Sequence, residues 1–528
     1  MVPALHKTSS ANWRSLLLAA CLISTLAAVH SPLIGQQAEE IASNALIENQ
    51  LQEESISDSD MAADLAEALT FTKYPTYGQY VEMMQQFATT YPEICRLDTF
   101  GTTEQGRLLL AMKISDHAGL EEPEARFLYS ATVHGDELVG YPLMLRLIDF
   151  LLSGYGNDTE VTRLVENLAI WINPLANPDG TFYPDNDTSV AGAIRGTSKG
   201  IDMNRNFPDP AVGEDFDDTT GRAMETRMMM QFLLEKRFTM SANIHGGAEV
   251  VNYPWDHTYD LHADDSWFRF VSREYADEAR AVDPGYMALF EDGITNGAEW
   301  YRIYGGRQDY VTHYLEGREV TLELSNTKQL ESEYLDGFWQ KNERSFLNYM
   351  AQCMYGIRGV VTDSLSGEPV RARIEIPGHD LLYSVVHSTS AHGDYYRLIK
   401  EGTYDMVASA HGYLTDTITG VAVTDYQPTI LDISLVPEKT DHVETTTTPS
   451  ITIWPNPAST LLYIEPHLLP GSTMDLKLFS MDGQIHLHRT IPVAEKPEPL
   501  FVGSLPPGLY ILKIASGNET VVRKFIRQ

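Results

Sequence analysis

The sequence has few cysteines, a shortage of basic residues and no apolar run long enough to cross a membrane. Of its three cysteines, Cys21 falls in an amino-terminal apolar run, which leaves Cys95 and Cys353. Two cysteines cannot form the disulfide framework of a small secreted scaffold, and whether these two pair stays open. Lysine and arginine total 38 against 73 aspartates and glutamates, so the formal net charge is −35. This charge argues against nucleic acid and anionic membranes as partners.

The length and the amino-terminal pattern predict an exported protein of several domains. At 528 residues, 43% of them hydrophobic, the chain is predicted to form about two to four domains. Lys7 and Arg14 precede the apolar residues 16–29, a layout typical of a secretory signal peptide and too short for a membrane span. We therefore predict a signal peptide over residues 1–35. Residues 36–70 are acidic and contain no basic residue, which predicts a flexible leader or propeptide before the first ordered domain.

A histidine and a glutamate occupy the turn after a predicted buried strand. Residues 127–133 form a short apolar run, and from residue 143 the apolar residues recur with the 3.6-residue period of a helix. The turn between them is His134-Gly135-Asp136-Glu137. It lies at the carboxyl end of the strand, where open α/β sheets place ligand sites, and its histidine and glutamate are close enough to share a metal ion. Taken alone, the tetrapeptide also fits an ordinary polar turn.

Two later strands carry further candidates for the same site. Residues 238–244 predict a strand that ends at His245, which would supply the third protein ligand of a zinc site, although a lone histidine is usually structural. The strand over residues 319–324 places Glu323 among apolar neighbours, and burial would raise the pKa of its carboxyl toward that of a general base unless the side chain faces solvent. Because strands and helices alternate here, we predict an α/β domain with a mixed central sheet flanked by helices.

A loop with an arginine between two asparagines is a candidate anion site. In Asn204-Arg205-Asn206 the planar guanidinium offers a fork of donors, and the amides add donors on either side. This set of donors suits a carboxylate or a phosphate. The alternative is that the arginine only braces the loop.

Residues 71–353 resemble the zinc carboxypeptidases, and in particular their carboxypeptidase D/E/N-like branch. The resemblance rests on motifs that occur in order along this part of the chain, namely the turn at 134–137, Asn177-Pro178-Asp179-Gly180, residues 202–208, His245-Gly246-Gly247, residues 295–301, residues 305–310 and residues 319–324. One departure is Asp136, where the branch usually carries asparagine. This position is not a metal ligand, so the departure affects nothing central.

The resemblance implies a zinc enzyme. By motif correspondence it implies one zinc ion per catalytic domain, bound by His134, Glu137 and His245. Glu323 falls on the general base of the family, and Arg195 falls on the arginine that polarises the scissile carbonyl. The chemistry of these residue types agrees with that assignment, since zinc acidifies water and a guanidinium opposes negative charge on the carbonyl oxygen.

The resemblance also implies the substrate. Asn204, Arg205 and Tyr301 fall on the groups that hold a terminal carboxylate. Asp256 and Gln308 fall on positions that line the pocket for the last side chain in the basic-residue branch. We therefore expect a secreted zinc metallocarboxypeptidase that releases C-terminal lysine or arginine from peptides and proteins. The alternatives are a non-catalytic surface-binding protein on a peptidase-like scaffold and a carboxypeptidase of cell-wall peptides, against which Asp256 argues.

The remainder of the chain predicts two small all-β sandwich domains. Residues 354–437 alternate short strands with turns, fit a small antiparallel sandwich and resemble the transthyretin-like domain that follows the catalytic domain in the same branch. Residues 438–449, with four consecutive threonines, predict a linker. Residues 450–528 resemble the C-terminal sorting domain of type IX secretion substrates, which implies export across an outer membrane by that machinery and then surface attachment or release. The alternative is an ordinary sandwich that binds carbohydrate or matrix.

Overall fold

The computed structural model describes most of the chain after residue 55. The described residues are 56–290, 292–381, 383–438, 450–467, 473–480, 484–492, 497–517 and 519–528. The predicted signal peptide, residues 36–55 of the predicted leader and residues 439–449 of the predicted linker lie outside them.

The central sheet of the α/β domain is mixed, as the alternating pattern predicted. Its strands lie in the order β1-β2-β4-β3-β5-β8-β6-β7, and the central strands β4, β3, β5 and β8 run parallel. Every residue of β5 and β8 is buried, because elements cover both faces of the sheet. The strands are β1 (Cys95–Thr102), β2 (Leu108–Ile114), β3 (Ala125–Ala131), β4 (Leu168–Asn173), β5 (Met240–His245), β6 (Ala248–Tyr253), β7 (Ile294–Asn296) and β8 (Arg318–Ser325).

Helices pack on both faces of this sheet, and successive residues of β3 show it. Phe127 and Tyr129 lie in one core, whereas Leu128 between them lies in the other. The first long helix after β3 begins at Gly140, three residues before its predicted start, with Pro142 in its first turn, where a proline is tolerated. Among the described residues no helix is long and apolar enough to span a membrane. The helices are α1 (Leu65–Ala68), α2 (Tyr77–Thr90), α3 (Gly140–Gly154), α4 (Thr159–Val165), α5 (Pro178–Thr181), α6 (Met224–Lys236), α7 (Asp265–Val282), α8 (Gly297–Trp300), α9 (Arg307–Tyr314) and α10 (Leu335–Ala351).

Residues 56–74, called the strap below, pack on the α/β domain, which corrects the prediction of a flexible leader for residues 56–70 alone, since residues 36–55 lie outside the described part of the chain. Ile56 is 5% exposed and belongs to the same core as α2 and α3. Asp60 is buried too, and its Oδ1 accepts hydrogen bonds from the backbone N–H and the hydroxyl of Ser332, at 2.9 and 2.8 Å. The prediction was wrong for these residues because it was based on their acidic composition. Composition takes no account of the few apolar side chains that lie between the acidic residues and pack on the core.

The first β domain is a sandwich of two sheets. One sheet has the order β11-β10-β13-β14, and the other contains β12, β9 and β15, with β16 also paired to β9. The predicted antiparallel arrangement is wrong for β15 and β16, which both pair with β9 in parallel. The strands are β9 (Gly356–Asp363), β10 (Arg373–Glu375), β11 (Val386–His387), β12 (Asp394–Arg397), β13 (Gly402–Ser409), β14 (Asp416–Val423), β15 (Pro428–Ile430) and β16 (Ile433–Leu435).

The second β domain also has two sheets, with the orders β17-β18-β21 and β20-β19-β22-β23, and all their pairings are antiparallel. Its core is formed by apolar side chains that alternate along the strands, as in Leu476 and Leu478 of β19. The strands are β17 (Ser450–Trp454), β18 (Leu461–His467), β19 (Thr473–Ser480), β20 (Ile485–Pro492), β21 (Glu498–Phe501), β22 (Gly508–Ser516) and β23 (Glu519–Arg527).

A buried carboxylate joins the first β domain to the α/β domain. Asp264 precedes α7, and its Oδ2 accepts hydrogen bonds from Arg318 of β8 (2.7 Å) and Arg397 of β12 (2.9 Å). Its Oδ1 accepts from Arg397 (2.8 Å) and lies 2.8 Å from His379 Nε2. Burial raises the pKa of this carboxyl, but the charges of Arg397 and Arg318 outweigh burial and hold the pKa well below its usual range. The two domains therefore share a buried ionic network.

The two cysteines left open by the sequence are free thiols in the structure. Cys95 and Cys353 are both buried, and the thiol of Cys95 lies 2.9 Å from Met112 Sδ. Burial raises the pKa of Cys95 to about 12, so its thiol stays protonated at neutral pH and is not reactive.

Candidate metal centre and substrate pocket

The carboxyl ends of three neighbouring parallel strands bring the candidate ligands together. His134 lies in the turn after β3, and His245 is the last residue of β5. Glu323 of β8 is the Cα partner of His245 in the register of the two strands. Glu137 lies in the same turn as His134, and its backbone N–H donates to the carbonyl of His134 at 3.2 Å. Residues from separate stretches of sequence thus meet at one edge of the sheet.

Three of these side chains direct their ligand atoms at one point. His245 Nδ1 lies 3.1 Å from His134 Nδ1 and 2.8 Å from Glu137 Oε2, and His134 Nδ1 lies 3.0 Å from Glu137 Oε1. All three side chains are buried. Burial lowers the pKa of His245 to about 4, so its imidazole is neutral at neutral pH, as metal binding requires. Two imidazole nitrogens and a carboxylate this close together fit a zinc ion of the His₂Glu type.

Two further side chains hold the histidines, and the sequence did not assign a role to either. Asp202 Oδ1 lies 2.9 Å from His134 Nε2, and Asn243 Nδ2 lies 2.8 Å from His245 Nε2. In metal sites a partner at the outer ring nitrogen fixes the orientation of a ligating histidine. Asn243 precedes His245 by two residues on a strand, so the two side chains lie on the same face. This two-residue spacing on a predicted strand is the sequence feature that could have predicted the contact between Asn243 and His245.

Arg195 and Glu323 flank the three ligands. Arg195 Nε donates to Asp202 Oδ2 at 2.9 Å, its Nη1 donates to Glu137 Oε1 at 3.2 Å, and the side chain is 37% exposed. Glu323 is 8% exposed, and its Oε2 has no hydrogen-bond partner among the described residues. Burial raises the pKa of Glu323 well above its usual range, and the charge of Glu137 adds to this effect. A buried carboxyl without a partner beside a candidate metal site is suited to exchange a proton.

Asn204, Arg205 and Tyr301 lie next to this group. The Oδ1 of buried Asn204 accepts a hydrogen bond from the backbone N–H of Arg307 at 2.9 Å, which directs the amide. Arg205 is exposed, and one of its nitrogens donates to the carbonyl of Asn204 at 2.9 Å. Tyr301 follows α8 and is half-buried, and burial, with the charge of Glu323, raises the pKa of its hydroxyl to about 12. Its hydroxyl is therefore a hydrogen-bond donor at neutral pH.

Asp256 and Gln308 are both buried and are hydrogen-bonded to each other. Asp256 is 2% exposed, and its Oδ1 accepts hydrogen bonds from Gln308 Nε2 and from Asn252 Nδ2, both at 3.0 Å. The backbone N–H of Asp256 donates to Asp309 Oδ1 at 3.0 Å, which fixes the main chain at this point. Burial raises the pKa of Asp256 well above its usual range, and the charge of Asp309 adds to this effect. Asn252 and Asp309 were not identified from the sequence.

The loop after β8 contacts the site from a further direction. Lys328 Nζ lies 3.6 Å from Glu137 Oε1, and Gln329 Nε2 donates to the carbonyl of Ala193 at 3.2 Å. Ala193 lies two residues before Arg195. The loop therefore touches both the turn that carries two of the candidate ligands and the segment that carries the arginine. No role for Lys328 was predicted from the sequence.

Comparison with known proteins finds family matches over three stretches of the chain. The family model described as zinc carboxypeptidase matches residues 80–345, about half of the chain. A carboxypeptidase regulatory-like domain matches residues 356–436, and a secretion system C-terminal sorting domain matches residues 452–528. The resemblances inferred from the sequence motifs are thereby confirmed, and zinc is the metal of this family.

Curated relatives agree with these matches. Carboxypeptidase D of Homo sapiens is 38% identical over 347 residues, 62% of this chain and 24% of that protein, so the chain spans about a quarter of its length. Carboxypeptidase SOL1 of Arabidopsis thaliana is 37% identical over 355 residues, 66% of this chain and 69% of that protein. The carboxypeptidase N catalytic chain of Mus musculus is 32% identical over 399 residues, 69% of this chain and 86% of that protein. From the family match and these identities, the chain belongs to the zinc carboxypeptidase family.

Proposed function

We propose that the chain is a zinc metallocarboxypeptidase that hydrolyses the last peptide bond of peptides and proteins and releases C-terminal lysine or arginine. The observation that carries this proposal is the convergence of His134, Glu137 and His245 on one point beside the unpaired carboxyl of Glu323. A peptidase-like scaffold without activity has no use for a buried carboxyl at this place, since burial of an unpaired polar group is costly. The family match supports the same conclusion.

The side chains around the metal centre have different roles in the proposed hydrolysis. Zinc, when bound, supplies Lewis-acid polarisation and lowers the pKa of water. Glu323 accepts a proton from the attacking water and passes it to the leaving amine, which its burial and its unpaired Oε2 support. Arg195 donates to the carbonyl oxygen as negative charge develops there, and Asp202 holds its guanidinium in place.

The requirement for a free C-terminus follows from three neighbouring donors. The exposed guanidinium of Arg205 offers a planar fork to a carboxylate, and the amide of Asn204 and the hydroxyl of Tyr301 add further donors. An internal peptide bond presents no carboxylate to these donors, so they would remain unpaired. We therefore propose that the enzyme is an exopeptidase.

The preference for basic residues is assigned to Asp256. A buried carboxylate attracts a lysine or arginine head group, and a buried charge left without its partner costs roughly 2 to 5 kcal/mol. Gln308 donates to the same carboxylate and shapes the pocket. Asp256→Ala should remove the preference for basic over aliphatic C-terminal residues and leave zinc content unchanged.

The test is amino-acid release from matched peptides that end in lysine, arginine or leucine, with purified zinc-loaded protein. We expect release of lysine and arginine, loss of activity with a zinc chelator and its return on adding zinc. Glu323→Gln should lower kcat by at least about a hundredfold while zinc still binds, and Glu333→Gln at an exposed position serves as the control. Activity that is indifferent to chelation would contradict the metal mechanism.

The same measurement distinguishes the two alternatives. A non-catalytic surface-binding protein would release no amino acid from any peptide when zinc is bound. A carboxypeptidase of cell-wall peptides would cleave those peptides without preferring basic C-terminal residues. The buried carboxyl of Asp256 supports the basic preference instead.

The carboxyl-terminal match supports export of this activity. Residues 452–528 match a secretion system C-terminal sorting domain. We propose that type IX secretion machinery recognises this domain, and that the enzyme is then attached to the cell surface or released. Deletion of residues 450–528 should leave the protein inside the outer membrane, as cell fractionation with an antibody to the α/β domain would measure.

A further inference from the structure

Arg222 holds the segment that follows the candidate carboxylate loop, residues 204–206. Its Nη1 donates to the backbone carbonyl of Asn206 at 2.9 Å, and its Nη2 donates to Glu214 Oε2 at 2.7 Å. Its Nε donates to the backbone carbonyl of Asp218. The side chain is 8% exposed, so these contacts are largely shielded from water. One planar guanidinium thus fixes three points of this segment.

Asn206, the last residue of the loop, is held at its side chain and at its main chain. The backbone N–H of Ala223, next to Arg222, donates to Asn206 Oδ1 at 2.8 Å. The backbone N–H of Asn206 donates to the carbonyl of Met203 at 3.1 Å, and the carbonyl of Asn206 accepts from Arg222. Both polar groups of this main chain are therefore paired. Because Asn206 follows Arg205 directly, these contacts fix the backbone at the end of the loop.

Gly305 confines the backbone of Arg205 as well. Gly305 has a φ of 68°, and a Cβ there would lie 2.8 Å from the carbonyl oxygen of Arg205 and 3.0 Å from that of Phe207. The N–H of Phe207 donates to the carbonyl of Gly305 at 3.0 Å. The guanidinium of Arg205 is exposed, and its hydrogen bond to a described residue goes to the carbonyl of the adjacent Asn204. The direction of this side chain therefore depends on the backbone of the loop.

We propose that Arg222 is a positioning residue for the capture of the C-terminal carboxylate. By holding Asn206, it keeps the guanidinium of Arg205 in the direction that a carboxylate requires. The proposal rests on the proposed carboxypeptidase function. Arg222 is shielded from water and its nitrogens have protein acceptors, so it acts through the loop and not on the substrate. If the loop occupies the competent arrangement only part of the time, the affinity for the substrate falls by that fraction.

The geometry of the guanidinium matters more than its charge in this role. A lysine ammonium is a point charge on a flexible stem, whereas the planar guanidinium of Arg222 reaches two backbone carbonyls and a carboxylate at once. Arg222→Lys is therefore expected to behave much like Arg222→Met, although it keeps the positive charge.

The experiment measures kcat, KM and zinc affinity for Arg222→Met, with a peptide that ends in lysine as the substrate. We expect KM to rise by at least about fivefold, the factor that roughly one lost hydrogen bond produces. The value of kcat and the zinc affinity should stay close to those of the unmodified protein, because the loop contributes to binding and not to the chemical step. Arg344→Met, at an exposed arginine of α10, is the control.

A double-mutant cycle shows whether Arg222 acts through Arg205. If it does, Arg222→Met should change kcat/KM far less in an Arg205→Ala background than in the unmodified protein. A role in general stability predicts the same factor in both backgrounds, and that result would overturn the proposal. Glu214→Gln removes the charge that pairs with Arg222 and should also raise KM, so it decides the question if Arg222→Met does not fold.

The outcomes separate this inference from the proposed function. Release of lysine with an unchanged KM in Arg222→Met, or in Glu214→Gln if that variant does not fold, would overturn the positioning role and leave the carboxypeptidase in place. A lower kcat together with a loss of zinc, at unchanged KM, would overturn it as well. No release of any amino acid by the unmodified zinc-loaded protein would overturn the proposed function and the inference with it.

Discussion

His245 and Glu323 lie opposite each other in the register of the adjacent parallel strands β5 and β8. One is a candidate metal ligand, and the other is the proposed base. Their separation is fixed by the backbone hydrogen bonds of the central sheet and not by a loop. A base placed in this way is held by the sheet, which favours a preorganised site.

We predict that Asp202→Asn weakens zinc binding by about 10- to 100-fold. Asp202 Oδ1 contacts His134 Nε2, and its Oδ2 accepts from Arg195, so the substitution disturbs the orientation of a ligand and of the guanidinium together. Zinc affinity is measured by competition with a chromogenic chelator. Asp277→Asn, at an exposed position of α7, is the control. Equal zinc affinities in the two variants would contradict the role given to Asp202.

We predict that the preference for basic residues increases with pH. Burial and the charge of Asp309 raise the pKa of Asp256, and Glu319 raises it further, whereas Asn252 and the charge of Arg205 lower it. The ionised form, which attracts a cation, therefore grows as pH rises through this raised pKa. The ratio of kcat/KM for lysine to that for leucine should increase from about pH 5 to about pH 8. A ratio that falls over this range would mean that Asp256 does not supply the attraction.

We predict that Asp264→Ala destabilises the protein by about 3 to 5 kcal/mol, because it leaves the buried guanidinium groups of Arg318 and Arg397 without their carboxylate. Asp277→Ala breaks an exposed ion pair with Arg273 and should cost less than about 0.5 kcal/mol. Urea unfolding followed by tryptophan fluorescence gives both values. Similar losses of unfolding free energy in the two variants would show that the buried network stabilises the protein no more than an exposed ion pair does.

We predict that Asp60→Asn loosens the strap and costs about 1.5 to 3 kcal/mol. Burial raises the pKa of Asp60, but hydrogen bonds from Ser332 and Ser57 outweigh burial and lower it. The stabilisation is therefore present above the pKa of the unfolded chain, near 3.8, and is lost as pH falls through the lower pKa of the folded state. Limited proteolysis should cut the strap faster in this variant than in Asp58→Asn, where the carboxyl is exposed. Equal rates would count against the role of Asp60.

The site residues that could be predicted from the sequence itself are a histidine or a glutamate at the end of an apolar run, or in the turn directly after one. His134 and Glu137 share a short turn after an apolar run, and His245 ends another such run. Chemistry and strand position together single out such residues. The Asn204-Arg205-Asn206 loop was recognisable as a candidate anion site, whereas Arg195, Tyr301, Asp256 and Gln308 were supplied only by the motifs of the family.

The parts that the sequence did not reveal depend on contacts between distant segments. Asn252 is one polar residue in a strand. Nothing in the sequence shows that its amide and the amide of Gln308 in α9 donate to the same oxygen, Asp256 Oδ1. Lys328 reaches Glu137 only through the path of the loop after β8. The parallel pairing of β15 and β16 with β9 was missed for the same reason, since alternating patterns predict strands but not their neighbours.

The strap is also linked to the candidate metal centre, through the loop after β8. Tyr74 donates to the carbonyl of Leu330 at 2.7 Å, and Lys73 donates to Ser332 Oγ at 3.0 Å, so the strap supports the loop that carries Lys328. Loss of the strap would therefore remove two hydrogen bonds that support the loop whose Lys328 lies 3.6 Å from Glu137, so the candidate metal centre depends on a segment that lies far from it in the sequence.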